Sequence, residues 1–166
     1  MNKRINIGDK EKAIIDISQF SLKHYRSTDI EFFNIHLKEL NSICKKDIFS
    51  KNNLYIHSST LWELMQPEAQ IGKHHFHGLS AEQIYYTIKS IVNPYCVYES
   101  YGNRYVVATS YLNRRNENLI LIIELHAPLT SNRDANINKL ITIYPKKNMK
   151  NIYGHLEKDK ILYPKI

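Results

Sequence analysis

From Asn93 onward the apolar positions follow strand periods. The runs YCVYES, RYVVATSYL, LILIIELHA and KLITIYP alternate or are continuously β-branched, the two signatures of half-buried and fully buried strands. Tyr101-Gly102-Asn103 and the polar stretch NRRNEN are short connectors, so successive runs must pair as antiparallel hairpins. PLTSNRDANIN is a longer polar loop before the fourth run, which is expected to end at Pro145 because proline cannot donate to a ladder.

Upstream the period lengthens. Ser80, with Gln83 three residues on, forms a capping-box pattern ahead of Ile84, Ile88, Ile91 and Val92, and Asn93-Pro94 supplies the stop, which predicts a helix. LYIHSSTLWELM predicts a short strand leading into a helix that opens at Ser58 or Ser59. Ile14, Ile15, Ile17, Phe20 and Leu22, then Ile30, Phe32, Phe33, Ile35, Leu37 and Leu40, predict two N-terminal helices, with Thr28 and Glu31 capping the second. KKNMKNIYGHLEKD reads as a short helix and KILYP as a last strand. The expected fold class is α+β: N-terminal helices, then a mostly antiparallel four-stranded sheet in β-meander order, then a short C-terminal helix and strand. Residues 1–50 read as a helical extension or collar and 51–166 as the α+β domain.

The chain has 166 residues, 43% of them hydrophobic and spread along its length, enough to fold without disulfides or metal staples. Its formal net charge of +7 favours a polyanionic partner such as nucleic acid, or else is a solvated basic surface. Cys44 and Cys96 match neither a disulfide framework nor a zinc pattern, as expected of isolated thiols in a reducing compartment. The start, MNKRINIGDKEKAIIDI, has no continuous apolar core of a leader, and no stretch is long enough to span a bilayer. Cytoplasmic synthesis without membrane association is expected.

Candidate chemistry concentrates in a few places. Lys73, His74, His75 and His77 put imidazoles and a cation just before a helix N-terminus, where backbone N–H groups favour a phosphate. Alternation favours His75 over His74 and groups it with His77; the bland alternative is a polar turn with local hydrogen bonds. Histidines two apart can share a metal, but no third ligand with recognisable spacing accompanies them, so no metal and no cofactor is assigned. Thr142 and Tyr144 share one face of the last long strand, with Lys146 beyond them. Arg114 and Arg115 occupy a hairpin tip, where they either clamp a phosphate bidentately or simply meet solvent. Glu124 and His126 alternate on the third run as an acid/base pair or as its outer face. Twelve tyrosines in a basic chain are either core or stacking platforms for unpaired bases.

In order, KHHFHGLS, IYYTIKSIVNP, YVVATSYLNRRNENLILIIELHA, and NINKLITIYPKKN with ILY make a pattern from about His74 to Tyr163. It resembles the nuclease-like domain at the C-terminus of phage MuF-type head proteins, a branch of the barnase, EndoU, colicin and RelE-like (BECR fold) RNase superfamily. The first fifty residues lie outside the resemblance, and Pro145 stands where the family continues into a glycine-containing turn. The resemblance implies a toxin-like endoribonuclease that cuts RNA, tRNA included, to a cyclic phosphate without a metal. It implies Thr142 as a phosphate ligand and Tyr144 as acid or stacking platform; the residues themselves add His75 or His74 as base or acid and His126 as a secondary catalytic candidate. Lys73, Thr142, Lys146, Arg114 and Arg115 would hold the phosphate. By analogy it implies an acidic immunity or antitoxin partner. A non-catalytic RNA- or protein-binding module on the same fold, serving host takeover or anti-defence, is the competing reading. ADP-ribosyl transfer, suggested faintly by HSST before Glu63, is a distant third.

Overall fold

The computed structural model describes residues 3–22, 27–67, 76–149, 154 and 156–164. One eight-stranded sheet organises them, in the order β1-β2-β3-β7-β6-β5-β4-β8. The strands are β1 (Lys3–Asn6), β2 (Asp29–Phe33), β3 (Leu54–His57), β4 (Pro94–Glu99), β5 (Arg104–Leu112), β6 (Asn118–Ala127), β7 (Ile137–Lys146) and β8 (Ile161–Tyr163). The pairs β1–β2 and β3–β7 are parallel and the others antiparallel. The sheet is therefore mixed and twice as wide as the four-stranded antiparallel meander expected from sequence, which is overturned. The runs that suggested a meander form only its β4–β7 portion.

The largest departure is at the N-terminus. Besides α1 (Lys10–Phe20) and the six-residue α2 (Glu39–Cys44), that region contributes two strands. The segment taken for a second helix is β2, where Ile30 and Phe32 are buried at a spacing of two against Ile5 and Ile56. The short aromatic and β-branched run DIEFF is a strand former; the apolar residues after it, Ile35, Leu37 and Leu40, belong to a loop and α2. Thr28 and Glu31 do not cap a helix: the Thr28 N–H donates to the Ser58 hydroxyl, and Glu31 accepts from Arg4 at 2.8 Å. The C-terminal helix expected over Lys146–Asp159 falls partly outside the described residues; within them, Lys146 ends β7 and Lys158–Lys160 form a 3-10 turn leading into β8.

α1, α3 (Ser58–Leu64) and α4 (Ala81–Lys89) pack on one face of the sheet over the main core. α4 has a complete capping box: the Ser80 hydroxyl accepts from Gln83 N–H at 3.1 Å, and the Gln83 side chain accepts from Ser80 N–H at 2.9 Å. A smaller cluster of Cys96, Val106, Ala108, Ile120 and Met149, with Tyr98, Ile122, Tyr144 and Leu156 against it, covers the other face of the β4–β7 half. The two halves meet at β3 and β7, where the buried Asn138 amide donates to the carbonyls of Lys51 and Asn53 at 3.1 and 2.8 Å. β7 runs through Pro145 to Lys146 instead of stopping at the proline. β3 pairs with β7 at Lys139, and beyond that point, among the described residues, the outer edge of β7 faces no strand that needs the missing N–H.

Candidate active site at the amino end of α4

The hairpin joining β5 and β6 is shaped by one asparagine. The Asn113 side-chain oxygen accepts from the N–H groups of Arg115 and Glu117, each at 2.9 Å, and its amide donates to the Glu117 carboxylate at 3.0 Å. Asn116 takes the left-handed conformation that asparagine tolerates, with φ of 57°. Behind the tip the register shifts between Ala108 and Leu112. Such a bulge re-aims the strand end. The irregularity is stitched by Thr109, whose hydroxyl donates to the Leu119 carbonyl at 2.7 Å, and by Asn118, whose amide donates to the Thr109 carbonyl at 2.8 Å.

The tip thereby faces the segment that leads into α4. His77, Gly78, Leu79, Gln83, Asn113, Arg114, Arg115, Glu117 and Pro145 line a cleft of about 350 Å³. Gly78 makes the turn at φ of 61°, and its N–H donates to the Gln66 carbonyl at 2.7 Å. Arg114 and Arg115 are exposed, whereas Glu117 is 6% exposed, a buried carboxylate held by Asn113. An imidazole, two guanidinium groups and a carboxylate thus share one concavity at the start of a capped helix. That set can bind an anion and move protons to and from it.

The sequence-predicted residues divide sharply. Lys73, His74 and His75 lie outside the described residues. Arg114 and Arg115 line the cleft. Tyr144 stands beside it, its ring 6.4 Å from that of His77. Burial, opposed by a hydrogen bond from Tyr98, holds the Tyr144 hydroxyl above its ordinary pKa; burial and the Tyr144 contact push Tyr98 up as well. Both stay protonated at neutral pH, so Tyr144 is not a base there. Thr142 lies opposite Ile122 in the cluster on the far face, 8% exposed, with its hydroxyl lacking a hydrogen-bond partner among the described residues. Lys146 ends β7 opposite Asn118. Neither lines the cleft.

His126 belongs to the opposite end of β6, at most roughly 30 Å along the chain direction from Glu117 at about 3.3 Å per strand residue. There the β6–β7 register shifts between Glu124 and Ala127, His126 adopts φ of 57°, and its Nδ1 lies 2.9 Å from the Asn136 side-chain oxygen. Glu124 instead pairs with Arg104 at 3.2 Å. The bulge cancels the simple alternation that made Glu124 and His126 look like a pair. In HSST, His57 caps α3 by accepting from Ser59 N–H at 3.2 Å, and Ser58 receives Thr28.

Sequence reasoning passed over Glu117 and Asn113, and gave Gln83 only its part in capping α4. The signal was present: Asn and Glu four apart across a five-residue hairpin fit a side chain that closes the turn on itself. What the sequence withheld was that the carboxylate would be buried there.

Among the described residues no helix is long and apolar enough to cross a membrane. Burial pushes the Cys44 thiol up to about 11, and Cys96 is buried too.

The fold and cleft define an α+β domain built on a mixed sheet with a polar concavity at one end. The chain belongs to the family of the phage MuF C-terminal domain, whose model matches residues 69–165. That span holds α4, β4 to β8 and every residue lining the cleft. No curated protein and no solved structure matches the chain.

Proposed function

We propose that the protein is a toxin-like endoribonuclease of phage or mobile-element origin, cutting RNA without a metal at the cleft before α4. The observation that carries this reading is the convergence of His77, Arg114, Arg115 and Glu117 on one concavity. Glu117 removes the proton of a ribose 2′-hydroxyl. The 2′-oxygen bonds to phosphorus as the bond from phosphorus to the 5′-oxygen breaks, and His77 returns a proton to that leaving oxygen. The products are a 2′,3′-cyclic phosphate and a 5′-hydroxyl. Arg114 and Arg115 neutralise the charge that builds on the non-bridging oxygens. His75 or His74, two and three positions before His77 in the chain, is the alternative acid.

The competing reading, a non-catalytic RNA- or protein-binding module, has one observation in its favour: the Glu117 carboxylate is already engaged in closing the hairpin. Incubating the protein in EDTA with total bacterial RNA and labelled tRNA decides between them. Fragments with cyclic-phosphate ends, made by the wild type and not by His77→Ala or by a folded His74→Ala, His75→Ala double variant, support the enzyme. Intact RNA that is nonetheless retained by the protein supports the module.

A further inference from the structure

A second concavity, of about 500 Å³, lies at the other end of α4, with Asn34, His36, Lys89, Ser90 and Asn93 supplying its polar groups. It opens at the carboxyl ends of the parallel strands β1 and β2, the place where sheets containing parallel strands commonly receive ligands. Its backbone is tightly drawn. Gly8 N–H and the Asn34 amide both donate to the Asn6 side chain, at 2.8 and 2.6 Å, and a Cβ on Gly8 would come within 3.0 Å of that oxygen.

The two concavities are joined along α4 by cations flanking a pair of stacked rings. Arg114 lines the first cleft, three residues beyond Tyr111 at the end of β5. Tyr111 stacks on Tyr86 with centroids 5.5 Å apart and planes at 25°. The Lys10 ammonium sits 4.9 Å from the Tyr86 ring centre, and Tyr86 itself lines the second concavity with Lys89. Lys10 and Lys89 are exposed, and both tyrosines are partly exposed. One carboxylate, Glu82, intrudes on this face near Tyr111 and Lys10.

We infer that this face of α4 carries a single unpaired nucleic-acid strand from the cleft at its amino end to the concavity at its carboxyl end. The inference rests on the reading of the first cleft as the seat of an RNA phosphate. Partly exposed aromatic rings flanked by cations suit an unpaired strand, phosphates meeting the cations and bases packing against the rings. A duplex hides its base faces and would gain only the charge contacts. The nine residues of α4 span roughly 14 Å at 1.5 Å per residue, about four stacked nucleotide steps at ~3.4 Å. Glu82 opposes the phosphates and tempers the affinity.

The test uses a fluorescent 12-nucleotide RNA carrying 2′-O-methyl groups, which cannot be cleaved, and the matching duplex. Binding of the full chain is followed by anisotropy across a salt series. The wild type is expected to bind the single strand at least tenfold tighter than the duplex. Lys10→Ala with Lys89→Ala should flatten the slope of log affinity against log salt by about 1.4, two lost phosphate contacts at ~0.7 each. Tyr86→Leu, which keeps the apolar packing, should weaken the single strand alone, and Glu82→Gln should tighten it. A double-lysine variant with wild-type affinity and slope overturns the track while leaving the cleft reading intact. Track-dependent binding by a protein that cleaves no natural RNA sinks the nuclease reading and upholds the track. Absence of binding removes both.

Discussion

The two ends of β6 carry the same three residue types and use them differently. At the far end Arg104 and Glu124 pair with each other at 3.2 Å, and His126 turns to Asn136 across a bulge. At the near end Arg114, Arg115, Glu117 and His77 line a concavity, with Glu117 buried and held by an asparagine. A surface Arg–Glu pair spends its charge on itself and is worth little, about 0–1 kcal/mol. A buried carboxylate that shares a cleft with guanidinium groups and an imidazole, with space for a ligand, is the arrangement on which the proposed cleavage rests. Residue identity did not separate the ends; the hairpin geometry set by Asn113 did.

The sharpest way to break this comparison is to remove the imidazole at the near end. His77→Ala is expected to lower kcat/KM on RNA by about 10²- to 10⁴-fold, the usual contribution of a positioned proton donor, and a change below threefold would remove His77 from the mechanism. Next in size, Arg114→Ala with Arg115→Ala should cost about 10²-fold, read in the same assay. A smaller effect, on stability, sharpens the contrast. Asn113→Ala breaks three hydrogen bonds around a buried carboxylate and should cost about 1–3 kcal/mol in urea unfolding, whereas Asn136→Ala should cost under about 0.5 kcal/mol. The smallest concerns Thr142, whose buried hydroxyl has no partner among the described residues. Thr142→Val should leave cleavage intact and raise stability by up to about 1 kcal/mol; loss of cleavage would return Thr142 to the site.

What could be read in the sequence follows from how local each signal was. α4 was legible because Ser80, Gln83 and the apolar spacing that follows are all contained in one stretch. β4 to β7 were legible because each run is long and its connectors mostly short. β1 and β2 were not: each is brief, and their parallel pairing across α1 is a long-range event that leaves no local mark. Reading Ile30 to Leu40 as one period merged a strand, a loop and a short helix into a false helix. The site was half visible. Arg114, Arg115 and the His-rich segment stood out by type, but Thr142 and His126 were assigned by alternation, and alternation fails where burial or a bulge intervenes. Glu117 lacked any mark beyond its place in a hairpin.

The central claim is that the near end of β6 is reactive and the far end is not. Its most direct test compares Glu117→Gln with His126→Asn for metal-independent cleavage of RNA in EDTA. Gln can still accept from Asn113, and Asn tolerates the backbone of His126, so both variants should fold. The account predicts cyclic-phosphate products from the wild type and from His126→Asn at equal rates, and a loss of at least about 10²-fold in Glu117→Gln. Equal cleavage by Glu117→Gln, or loss confined to His126→Asn, would contradict it.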